Sequence, residues 1–231
     1  CDVPGESHSL GYRLGCALLQ DLDGRFAVGI QETGEPEGAT DQHLRISKCS
    51  WGDVDHATGW FYSYGEEDWY TNVTAVARTK AHLDYCNTQG FEIAAMGFGW
   101  CWDATMTNAP GGGEDPVYRV RWAGSWDRGP DGNQRCGLEA REYDLNGNRM
   151  CLYTYLAATD DYIAHCAVNG YPTRVFYTTG PVDGSLSQGE SGYQQYLKYE
   201  RIRAHVNAQD NAILFDYADI LCWSDAGDPS T

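Results

Sequence analysis

Residues 5–16 read GESHSLGYRLGC, and the pair His8-Ser9 is the first place in this chain where chemistry can start. A serine hydroxyl attacks a carbonyl when a base lies within hydrogen-bond reach and donors await the oxyanion. His8 is a poor base for Ser9, because adjacent side chains in extended backbone point to opposite faces. It is better suited to touching substrate or walling a cleft. Serine before an apolar-periodic segment is also the commonest helix N-cap, so nucleophile and cap compete on equal terms locally.

The stretch GFGWCWDA (97–104) is the second candidate. Trp100 and Trp102 flank Cys101, with Asp103 following. Buried indole N–H groups need partners. This density therefore suits flat faces that hold sugar rings beside a carboxylate. A hydrophobic lid over a sheet end is the competing role. Asp216 and Asp219 stand near the end of the last apolar strand, where a triad acid would sit, although capping the next turn is their simpler role. His82, His165 and His205 fall in expected helices and read as structural. His56, in the aromatic loop GDVDHATGWF, is the best substitute base, and Trp60 of that loop is a candidate substrate contact. DLNGN (144–148) opens like a calcium loop but carries Arg149 where the loop needs glycine and Tyr155 where it needs glutamate. With no HExxH, Walker or GxGxxG pattern either, no metal or cofactor is expected.

Periodicity supplies the elements that must position these groups. Helices are expected over 12–24, 66–90, 151–170 and 191–209, closed by Gly24, Gly90 and Gly170 in the first three cases. Strands are expected over 25–30, 43–49, 91–99 and 173–181, and 212–223 reads as a last strand and its exit. A Gly-, Asp- and Asn-rich insertion occupies about 104–150. Alternating helices and continuously apolar strands argue one α/β domain with a parallel sheet covered on both faces. Ligands of such sheets bind beyond the carboxyl ends of the strands. Four stretches should meet there: His8-Ser9, Gly97 to Asp103, Thr179 to Asp183, and Asp216 to Asp219.

Composition narrows the partners. The 231 residues carry 33 acidic against 16 basic side chains, a net charge of −17, which repels phosphate backbones and anionic headgroups. Nucleic acid is therefore not an expected partner. No apolar run reaches the ~18 residues of a membrane span. Nine cysteines, none in a CxxC pair, suggest two to four disulfides in a secreted or cell-surface domain, with at least one left over. Cys1 is a candidate for lipidation. Oligomeric state leaves no trace in the sequence.

SHSLGYRLG, AAMGFGWCWD and RVFYTTGPVDG through AILFDYADILCW together resemble the SGNH/GDSL hydrolase superfamily, in a divergent branch with His-Ser at the nucleophile block. The resemblance spans most of the core but not the insertion. It implies a three-layer α/β/α sandwich of the flavodoxin-like kind and ester hydrolysis on carbohydrate or lipid. Ser9 would be the nucleophile, with Gly97 or Gly99 near the oxyanion. Two features depart from that pattern. Trp102 and Asp103 stand where the family has an asparagine, and no histidine follows His205, so the closing Asp-x-x-His block is absent. Either the sequence is trimmed at its ends or the chemistry differs. The expectation is a glycan esterase using Ser9 with His56 or a missing histidine. The alternatives are a polysaccharide lyase on the same fold, and a non-catalytic glycan-binding or structural protein.

Overall fold

The computed structural model describes residues 9–26, 28–31, 44–47, 73–90, 93–100, 117–118, 152–182 and 191–223. In chain order these hold α1 (Ser9–Leu22), β1 (Val28–Gln31), β2 (Leu44–Ser47), α2 (Val73–Gln89), β3 (Ala95–Gly97), α3 (Leu152–Asn169), β4 (Arg174–Thr178), α4 (Ser191–Asn207), β5 (Ile213–Phe215) and α5 (Tyr217–Cys222). Gly90 and Gly170 follow α2 and α3 at φ +76° and +69°, the left-handed conformation a helix end commonly takes. Gly24 does not do this for α1. That helix stops at Leu22, and the Asp23 carboxylate beyond it accepts from the Arg25 backbone and side chain.

Every strand pairing among the described residues is parallel. β1 lies beside β2, and β3, β4 and β5 form a ladder in that order, with Met96 opposite Val175 and Phe176 opposite Ile213. Parallel neighbours need a long crossover, and α4 supplies it between β4 and β5. The α/β character expected from the apolar strands is present. β4, the middle strand, buries Val175, Tyr177 and Thr178, whereas β5 exposes Ile213 and Phe215 as an edge strand would. The core joins Leu83 and Cys86 of α2, Met96 and Phe98 around β3, Leu152, Tyr155 and Tyr162 of α3, and Ile202 of α4.

Two expectations change. Residues 217–222 are helical rather than a continuation of the last strand. The polar Asp216 interrupts the apolar run, and its carboxylate accepts from the Asp219 amide, which starts a helix instead. The disulfide-stabilised reading also fails for part of the chain: Cys16, Cys86, Cys166 and Cys222 are thiols. Cys86 lies buried on α2 with its sulfur 3.6 Å from the His82 ring, and Cys166 packs into the core. These two serve as small apolar side chains. Cys1, Cys49, Cys101, Cys136 and Cys151 lie outside the described residues, as do the 104–150 insertion (apart from 117–118) and Asp183.

The Tyr155 hydroxyl completes the end of β4: it accepts from the Thr178 amide at 2.9 Å and donates to the Thr178 carbonyl at 3.3 Å. Removing it leaves a buried backbone N–H unpaired, which costs about 1–3 kcal/mol. Tyr155→Phe should therefore lower the melting temperature by roughly 4–8 °C, measured by thermal denaturation. Alkylation of the unfolded, unreduced protein followed by mass spectrometry should label all four thiols. Natively, half-exposed Cys16 and Cys222 should react before Cys86 and Cys166.

Candidate functional site

The exits of β3, β4 and β5 are tied together by side chains. Thr178 donates its hydroxyl to the carbonyl of Phe98, just beyond β3. The next residue, Thr179, donates to Asp216 Oδ1 at 2.8 Å and accepts from the Ala218 amide at 2.9 Å, just beyond β5. Arg203 of α4 closes on the same carboxylate with two bonds, Nε to Oδ2 at 2.6 Å and Nη2 to Oδ1 at 2.8 Å, while its Nη1 donates to Glu200 at 2.6 Å.

Burial alone would raise the Asp216 pKa, but the Arg203 guanidinium and the Thr179 hydroxyl outweigh it and hold the carboxyl below its usual range. Asp216 is thus an ionised clamp and the N-cap of α5. Among the described residues no histidine hydrogen-bonds it. His165 contacts Asp84 at 2.8 Å, and His205 contacts Asp160 at 3.1 Å. Asp219 lies exposed on α5.

Aromatic side chains floor this edge. Trp100 is 1% exposed, edge-on to Phe98 at 5.4 Å and to Tyr155 at 4.8 Å, so its ring belongs to the core and not to an open face. Tyr199 donates to the Pro181 carbonyl at 2.6 Å. Gly180 lies buried between them. A Cβ there would stand 2.7 Å from the Tyr199 hydroxyl and 3.0 Å from Trp100 Cβ, so only glycine lets the chain pass. Gly97 is closed in the same way by the Phe176 ring, and Gly99 is buried beside Phe98.

The first turns of α1 reach this edge. The Tyr12 ring lies edge-on to Phe215 at 5.3 Å and tilted on Tyr217 at 5.1 Å, and Gly11 faces the Tyr217 hydroxyl. The Tyr12 hydroxyl is buried without a hydrogen-bond partner among the described residues. Burial, then the neighbouring Tyr217, Tyr155 and Tyr199, push its pKa far above the usual phenol range, so it stays protonated. Ser9, the first residue of α1, stands one turn earlier, about 4.5 Å along the helix axis.

Of the expected site residues, Gly99, Trp100 and Asp216 are thus brought to one edge, and the helix opening at Ser9 arrives there too. His8, His56, Trp60, Trp102 and Asp103 lie outside the described residues. Tyr12, Arg203 and Tyr199 went unread in the sequence. The one signal for Tyr12 was its spacing three residues after Ser9, a single helical turn. On α4, Tyr193 and Tyr196 stack at 6.4 Å and 24° while remaining 60% and 53% exposed. They precede Tyr199 by two turns and one turn, at a three-residue spacing visible in YQQYLKY.

No protein-family model, curated protein or solved structure matches this chain.

The Asp216 clamp has a pH signature. A carboxylate whose folded pKa is depressed contributes stability above its unfolded pKa and loses it as pH falls through the folded value. Stability should therefore decline in acid from about pH 4 downward. Asp216→Asn should cost on the order of 2 kcal/mol at neutral pH and flatten that decline, read from urea unfolding at stepped pH.

Proposed function

We propose that this chain is an SGNH-like serine esterase, a three-layer α/β/α sandwich that removes acyl groups from a glycan at the carboxyl edge of its parallel ladder. One observation carries the reading: α1, which opens at Ser9, lays Tyr12 on Phe215 and Tyr217, where the exits of β3 and β4 also end. In this mechanism the Ser9 hydroxyl attacks the acyl carbonyl and passes its proton to a histidine base, His56. The base returns the proton to the departing sugar oxygen, and water then hydrolyses the acyl-serine. The Tyr12 hydroxyl, protonated and without a partner among the described residues, and the backbone near Gly99 are the donors assigned to the oxyanion. The exposed Tyr193–Tyr196 stack supports the glycan half of the proposal, because flat apolar faces suit sugar rings. His8, Trp60, Trp102 and Asp103 are further contacts in this reading.

A non-catalytic glycan-binding protein is the second reading. Its support is Asp216, whose carboxylate is taken up by Arg203, Thr179 and the Asp219 amide and so is not spare to orient a base. For the lyase reading, the arginines of the insertion that it would use, such as Arg119 and Arg121, lie outside the described residues, and Arg203 is held by Asp216 and Glu200.

Ser9→Ala, assayed on acetylated xylan, pectin and a chromogenic acetate, should abolish turnover, and Tyr12→Phe should lower kcat roughly 10²-fold, as loss of one oxyanion donor does. Unchanged turnover in Ser9→Ala removes the esterase. Binding to insoluble polysaccharide without released product selects the second reading. The double variant Tyr193→Ala/Tyr196→Ala should weaken polysaccharide binding about tenfold, near 1.4 kcal/mol, while sparing turnover of the small chromogenic acetate.

A further inference from the structure

The amino edge of the same ladder holds a separate cavity of about 190 Å³, between α3, the start of β4 and the turn entering β5. Its lining runs from buried Cys166, Val175 and Thr173 through half-buried Ile163 to exposed Arg174 and Asp210. Three features of this lining ask for a guest. Thr173 is 5% exposed, and its hydroxyl has no hydrogen-bond partner among the described residues, a rare condition for a buried polar group. Arg174 and Asp210 carry opposite charges on one cavity, yet neither forms an ion pair, with the other or with any described residue. Asn211, at φ +66°, takes the left-handed conformation that asparagine tolerates, and it sets Asp210 at the mouth just before β5.

The wall is mixed: Ile163, Val175 and Cys166 give it an apolar, unreactive patch beside the polar Thr173 and Gln209. Burial pushes the Cys166 thiol up to about 11, so it stays protonated and acts as wall rather than nucleophile. The volume equals about six water-sized groups, too small for an oligosaccharide or a nucleotide. We propose that this cavity binds a small zwitterion, an α-amino acid with a short aliphatic side chain. Arg174 holds the carboxylate, Asp210 the ammonium and Thr173 one carboxylate oxygen, while Ile163, Val175 and Cys166 receive the side chain. The site lies across the ladder from Ser9 and Asp216 and does not depend on the esterase reading.

The test is calorimetric titration of the full chain with L-valine, beside isovalerate and isobutylamine, which each keep one of its two charges. Saturable valine binding is expected, with each one-charge analogue at least roughly tenfold weaker. Arg174→Gln and Asp210→Asn, both at exposed positions whose side chains hold no part of the core, should each weaken valine at least tenfold and leave the melting temperature unchanged. Thr173→Val should weaken it severalfold. The proposal is overturned by an absence of valine binding at millimolar concentration, by equal binding of valine and isovalerate, or by wild-type affinity in Arg174→Gln.

Discussion

Two adjacent hydroxyls at the end of β4 hold the carboxyl edge together. Thr178 reaches back to the Phe98 carbonyl beside β3, and Thr179 reaches forward to Asp216 beside β5. Ladder bonds alone end with the strands, at Gly97 opposite Phe176 and Thr178 opposite Phe215. Beyond that point each chain would be free to splay. The threonines extend the connection past the last ladder bond, so three loops distant in sequence leave the sheet as one surface. Tyr155 secures the same point from α3 by pairing both backbone groups of Thr178. A buried polar network of this kind is stabilising only while each member is satisfied, and here both threonine hydroxyls and the Tyr155 hydroxyl are bonded.

The charge arrangement follows from that geometry. Asp216 could not remain ionised and half-buried beside two apolar exits without a cation, and Arg203 supplies one with bidentate geometry. This consumes the acid and the arginine together. What the described part of the edge still presents is phenols, glycine backbone, the start of α1 and the exposed carboxylate of Asp219. With an overall charge of −17, that setting disfavours an anion.

Much of this was legible in the sequence. The continuously apolar strands announce a parallel ladder, Gly90 and Gly170 mark two helix ends, and the strand-end rule places Thr179 and Asp216 at one edge, where they hydrogen-bond. Three things were not legible. The turn into α5 depends on a single carboxylate capping its own amide, and YADILC carries enough β-branched and apolar character to read as strand. The openness of Trp100 could not be judged from its type, because Phe98 and Tyr155 enclose it from sites far apart in the chain. Nine cysteines in a count do not reveal which are buried. Four of them are thiols, and the argument from cysteine content to secretion loses that share of its weight.

The tyrosines explain why one fold can keep two separate polar edges on so small a ladder. A phenol spans an apolar layer and still delivers a hydroxyl at its far end. Tyr155 and Tyr199 use that reach to bond backbone groups at the carboxyl edge, and Tyr177 uses it to reach Asp160 on α3. Each brings a polar contact to a helix–strand seam without placing a charge in the core. Tyr12 has the same reach and the same burial, but no acceptor among the described residues meets its hydroxyl. Of these four phenols, the one whose hydroxyl meets no partner among the described residues stands one turn from Ser9. In the proposed esterase, a substrate carbonyl oxygen would complete that asymmetry.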